Sequence, residues 1–172
     1  MLELIAGNAC SLIATGTDAF SSSRKTARGV LLVQVLSQLL YGIGSVILKG
    51  YSAAVQNFVS ILRNLTAVQK RRFKILEWVL IALAVGLGVW FNNRGSIGLL
   101  PVLANLEYSL AVYFFQDNEL ALKVAFLLDV ALFCVFNVVI LNIVGAISNI
   151  VVVILTSVFL IREWRNRKKV KT

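Results

Sequence analysis

Apolar residues run along this chain in blocks of about twenty, broken by short polar clusters that read SSSRKTAR, LKGY, QKRRFK, NNRG, FQDNE and LNI. A bilayer core takes roughly 17–25 residues of helix per crossing. The blocks therefore predict seven transmembrane helices, over about 2–20, 29–48, 52–69, 74–91, 96–115, 119–141 and 143–162. The last junction is the least marked, because VVILNIVGAI is almost unbroken apolar sequence and leaves room only for a two-residue turn.

The polar residues inside the blocks fall into stripes. Residues three, four or seven apart share a helix face, and in the third block Asn57, Ser60 and Asn64 do so, with Gln56 and Arg63 beside them. The seventh block carries Gly145, Ser148, Asn149 and Thr156, and the second carries Gln34, Ser37, Gln38, Tyr41 and Ser45. The first offers Asn8, Ser11, Thr15 and Asp18, and the sixth Asp129 and Asn137. Lipid has no hydrogen-bond partner to give, so such stripes are expected to face protein or a water-filled cavity.

Shifting the chain against itself by 92 positions lays the second and third blocks on the sixth and seventh. Ala54 falls on Ala146, Gln56 on Ser148, Asn57 on Asn149, Ser37 on Asp129, Tyr41 on Phe133 and Ser45 on Asn137. Identity is low, but polar positions recur in the same columns. A three-helix unit ends on the side opposite its start, so two such units run parallel only if one extra span returns the chain. The fourth block, ILEWVLIALAVGLGVWF, has the least polar content and no counterpart in the repeat. The expected fold is thus an all-α membrane protein with a 3+1+3 plan, a design used by transporters of the SWEET type. Residues 1–72 would form the first repeat, 73–94 the linker helix, 95–163 the second repeat and 164–172 a basic cytoplasmic tail.

Composition and charge fit that reading. The 172 residues are 59% hydrophobic and 15% charged, with mean hydropathy +0.85, where soluble domains run about 45–50% and about 25%. Lipid is therefore the expected solvent for most of the chain. The segment MLELIAGNAC lacks the basic start of a cleavable signal peptide and is expected to belong to the structure. Cys10 and Cys134 lie in apolar runs and read as small buried hydrophobes. With seven spans, all but three of the 17 basic residues collect on one side: Arg24, Lys25, Arg28, Lys70, Arg71, Arg72, Lys74, Lys123 and the tail from Arg162 to Lys171. Lys49 and Arg94 fall on the other side, and Arg63 lies within a span. The positive-inside rule then sets the N-terminus outside and the C-terminus in the cytoplasm of a plasma membrane. A basic rim facing anionic lipid accounts for the net charge of +9, so no nucleic-acid partner is expected.

Asn57 and Asn149 fall at equivalent depth if the repeats are pseudo-symmetric. Paired amides offer donors and acceptors to a neutral polar ligand from both sides of a cavity, and Gln56, Ser148 and Tyr41 are further candidates to line it. Interhelical packing is the other reading of such residues, at about 0.6 kcal/mol each. Three ionisable residues, Arg63, Glu107 and Asp129, lie well inside spans. Each costs on the order of 2.5–3.5 kcal/mol to insert, so each calls for a partner or water. Pairing Arg63 with Asp129 or Glu107 would neutralise both members, as a gate or coupling pair or as a structural ion pair.

The run YGIGSVILKGYSAAVQNFVSILRN, Tyr41 to Asn64, resembles the YgjV-type bacterial inner-membrane proteins, and the hydropathy of most of the chain agrees. That resemblance implies a small integral membrane protein without implying an activity. The architecture is more distantly similar to the SWEET, PQ-loop and PnuC group of facilitators. SWEET-type proteins place an asparagine in the third helix of each repeat, and Asn57 and Asn149 match those places. The helix prolines of SWEET-type repeats and the Pro-Gln pair of PQ-loop proteins are not matched, since Pro101 is alone and precedes Val102.

Function classes narrow accordingly. Histidine is absent, and there is no metal-ligand cluster, phosphate-cradling glycine loop or nucleophile with an evident base, so neither an enzyme nor a metal or other cofactor is expected. Two classes remain. One is a facilitator for a neutral or weakly charged polar solute, and the other is a non-transporting structural or partner-binding subunit. Either suits a monomer or a homo-oligomer.

Overall fold

The computed structural model describes residues 1–21, 27–68, 74–115 and 118–169. They form α1 (Leu2–Ser21), α2 (Ala27–Ile47), α3 (Tyr51–Val68), α4 (Lys74–Trp90), a 3₁₀ turn (Ile97–Leu99), α5 (Leu100–Phe115), α6 (Glu119–Val139) and α7 (Ile143–Lys169). The seven α-helices stand where the seven apolar blocks predicted them. Of the basic residues assigned to one side, Arg24, Lys25, Lys70, Arg71, Arg72 and Lys171 lie outside the described residues. The basic tail continues α7 through Lys169, because Arg, Glu and Lys are good helix formers once past the apolar stretch.

Among the described residues, Ile97–Phe115, Leu120–Val139 and Ile143–Arg162 are long and apolar enough to cross a bilayer. The apolar parts of α2 and α4, Leu31–Ile47 and Ile75–Trp90, are shorter. Polar stripes lower α1 and α3. Large side chains such as Leu12, Leu36, Phe58, Val135 and Ile154 point outwards, a surface that suits lipid rather than water.

Chain neighbours pack on one another, α1 on α2, α2 on α3, α5 on α6 and α6 on α7. The ends of these triplets also meet, α1 against α7 and α3 against α5, so six helices close a ring. α4 lies against α3 and α5 at one seam.

The α2–α3 and α6–α7 turns are built alike, 92 residues apart. Lys49 donates its backbone N–H to Val46 O (3.0 Å) and Gly50 to Ser45 O (2.8 Å), while Leu141 donates to Val138 O (3.2 Å) and Asn142 to Asn137 O (2.9 Å). Each is a Schellman motif, which satisfies the last carbonyls of the preceding helix. Its left-handed residue is Lys49 in one turn (φ 58°) and Leu141 in the other (φ 59°). The next helix then starts on Gly50 or on Asn142, whose Oδ1 accepts from Gly145 N at 3.1 Å.

Polar side chains of α1 and of the α4–α5 connection hold these turns. Lys49 O accepts from Asn93 Nδ2 (2.8 Å) and Arg94 Nε (3.3 Å), and Leu48 O accepts from Arg94 Nη2 (3.2 Å). Asn8 on α1 donates to Leu141 O (3.0 Å) and accepts from Val144 N (3.0 Å). The N-terminus, both turns and the α4–α5 connection therefore share one end of the molecule, called the turn end below. Leu48, Ala53, Phe136 and Ile140 form a buried apolar cluster there.

Candidate functional site: the polar interior

Two hydrogen-bonded clusters line the two seams of the ring. At the α3–α5 seam, Gln56 Nε2 donates to Ala84 O on α4 (2.8 Å), and Asn105 Nδ2 donates to Gln56 Oε1 (2.8 Å). The Arg63 guanidinium donates to Asn105 Oδ1 (3.3 Å), Ser109 Oγ (3.5 Å) and Ser60 Oγ (3.4 Å). Gln56 is 1% exposed, a burial that a primary amide sustains only when it is bonded. Gly88 on α4 makes room for it, since a Cβ there would lie 2.4 Å from Gln56 Nε2.

At the α7–α1 seam, the Thr15 hydroxyl bonds the hydroxyls of Tyr41 on α2 (2.9 Å) and Ser148 on α7 (3.2 Å). One helical turn along α1, Asp18 accepts a hydrogen bond from Ser37 of α2. Gln56 and Ser148 share a column of the 92-residue offset, and each reaches the first helix of the other triplet. The offset thus relates the seams as well as the turns.

Asn57 and Asn149 behave differently. Both are half-buried, and neither side chain makes a hydrogen bond among the described residues. On the α3 wheel Asn57 lies between the face that meets α5, carrying Gln56 and Arg63, and the face that meets α2, where Gly42 approaches its Cβ. That direction is the inside of the ring. Asn149 takes the same position on α7, next to Ser148. Neither a crevice of about 350 Å³ beside Glu107 nor one of about 280 Å³ at the turn end touches either asparagine.

Arg63, Glu107 and Asp129 make no direct ion pair with one another among the described residues. Lys49 and Glu3 form an ion pair at 3.2 Å, at the turn end. Arg63 takes the neutral oxygens of Asn105, Ser109 and Ser60 as its direct partners, and the Asp129 carboxylate acts on it electrostatically. Glu107 faces elsewhere. It lines the 350 Å³ crevice between α5 and α6 with Phe115 and Asn118, and its Oε2 has no hydrogen-bond partner among the described residues.

Sequence reasoning passed over Asn105 and Ser109, which hold Arg63. Their signal was a polar pair four residues apart in the fifth block. Cys10 and Cys134 are free and half-buried, less enclosed than their apolar runs predicted.

An all-helical chain with several long apolar spans, an apolar exterior and polar side chains gathered inside is a helical membrane protein. A family model described as a bacterial inner membrane protein, Imp-YgjV, matches residues 5–167, and the chain belongs to that family. No curated protein and no solved structure matches it.

Proposed function

We propose that this protein is a small facilitator of the bacterial inner membrane that passes a neutral or weakly charged polar solute through the interior of its helix ring. In this reading all seven helices cross the bilayer, with the N-terminus outside and the C-terminus in the cytoplasm. α1–α3 and α5–α7 are parallel repeats about an axis along the membrane normal, and α4 returns the chain between them. Matching Schellman turns 92 residues apart and the column shared by Gln56 and Ser148 support the repeat. The placing of the basic residues supports the orientation.

One observation carries the transport reading. Asn57 and Asn149 occupy the same register position of the two repeats and lack protein hydrogen-bond partners among the described residues. An amide left unbonded in a dry apolar setting costs about 1–3 kcal/mol, so these two call for water or solute. Gln56, Ser148, Tyr41 and Arg63 are committed to interhelical bonds and position the helices around that space. The satisfied α3–α4–α5 cluster favours the second reading, a structural or partner-binding subunit, for its own residues only.

Efflux from proteoliposomes loaded with sugars, vitamins or nucleosides tests this. At least one solute should leave several-fold faster than from empty liposomes, and Asn57→Ala/Asn149→Ala should remove most of the gain. Equal efflux with and without protein, across the panel, would leave the structural reading.

A further inference from the structure

At the turn end, the 280 Å³ crevice is open to solvent and lined by Glu3, Lys49, Arg94 and the paired segments Ile47–Lys49 and Val139–Leu141. Its walls are therefore charged at the rim and related by the 92-residue offset. Directly beneath lies the apolar cluster of Leu48, Ala53, Phe136 and Ile140, whose members are at most 5% exposed. Leu48 and Ile140 are offset counterparts, contributed by the two turns. The fit is close. A Cβ on Gly50 would sit 3.1 Å from both Ile140 Cδ1 and Phe136 Cε1, and one on Gly7 would sit 2.5 Å from Leu48 Cγ. Asn57 follows Ala53 on α3 by one helical turn, about 6 Å further in.

We infer that this crevice is the entrance to the pathway and that Leu48, Ile140 and Phe136 are its gate, closed in this structure. The inference rests on the facilitator reading above. A plug of branched and aromatic side chains excludes water from a narrow passage, as apolar constrictions do in channels. Its position is that of a gate rather than a general core. It lies between a charged crevice that opens outwards and Asn57, one turn of α3 beyond Ala53, and both turns that carry it have a left-handed residue other than glycine. The Lys49–Glu3 pair above it is not the lock, because both side chains are more than half exposed, at 57% and 66%, and such pairs contribute little.

Thiol labelling of the full-length chain in cells tests the gate. Asn57→Cys is introduced into a Cys10→Ala/Cys134→Ala background, and Lys49→Cys in the same background identifies the side that the turn end faces. A charged, impermeant maleimide applied from that side should leave Asn57→Cys unmodified, whereas permeant N-ethylmaleimide should modify it. Adding Leu48→Ala/Ile140→Ala should raise impermeant labelling at least tenfold. Each single truncation should raise it about threefold, which keeps the test intact if the double variant does not reach the membrane. Impermeant labelling without truncation, or none with it while N-ethylmaleimide still reacts, would overturn the gate and leave the facilitator reading standing. Failure of N-ethylmaleimide to react would remove the solvated interior, and the gate with it.

Discussion

Gly88 has no side chain because Gln56 occupies the space that one would need. A methyl group there would meet Gln56 Nε2 at 2.4 Å and Val102 Cγ2 at 2.6 Å, whereas one on Gly86 would meet nothing within 4 Å. Gly88→Ala should therefore destabilise the folded protein by about 1–3 kcal/mol. Gly86→Ala should be neutral or stabilise it by up to about 1 kcal/mol, the ordinary helix preference for alanine. Unfolding in detergent mixtures checks both, and equal effects would contradict the close approach of α3 and α4. At this scale the sequence was only partly legible. Period and offset singled out Gln56, Asn57, Ser148 and Asn149, because both are properties of one helix and its repeat. Arg63's partners were not visible. Whether Arg63 meets Asn105 and Ser109, or Glu107, depends on the rotation of α5 about its own axis, which tertiary packing sets. That rotation turns Asn105 towards α3 and Glu107 towards the crevice beside α6.

The helix junctions show the same division between what local sequence encodes and what it conceals. Blocks bounded by charge, such as QKRRFK and FQDNE, give helix ends within a residue or two. The α6–α7 turn lies instead in apolar sequence broken by Asn142 alone, with leucine at a position that normally selects glycine. The offset locates it, because Leu141 is the counterpart of Lys49 in LKGY. Holding a branched residue in the left-handed region costs about 1–2 kcal/mol. Leu141 is also 52% exposed, so removing its side chain forfeits little packing. Leu141→Gly should then raise stability by about 1 kcal/mol, read as a higher melting temperature. A lower melting temperature would mean that the leucine side chain contributes more than the backbone strain it causes.

For the whole molecule, the ring has two kinds of polar residue. One kind ties helices together across the seams, as Gln56 with Asn105 and Thr15 with Ser148 do. Asn57 and Asn149, in contrast, are held in matching places without protein hydrogen bonds among the described residues. Seven helices and a membrane setting were readable from hydropathy alone, since block length and apolar content report directly on the solvent. The closure of the ring through α1–α7 and α3–α5 was not, because contacts between helices far apart in sequence leave little local trace.

The central claim is that the two unbonded amides receive a solute in the interior. The most direct measurement is the melting temperature of the purified protein against rising concentrations of sugars, vitamins and nucleosides, with Asn57→Ala/Asn149→Ala beside it. A ligand that binds only the folded state at 100 times its Kd stabilises it by about 2.7 kcal/mol. The account predicts that at least one solute raises the melting temperature of the unmodified protein in proportion to the logarithm of its concentration, and leaves that of the double variant unchanged. An equal shift in both would place the solute elsewhere. No shift with any solute, together with a less stable double variant, would show that the asparagines hold helices together and would contradict the account.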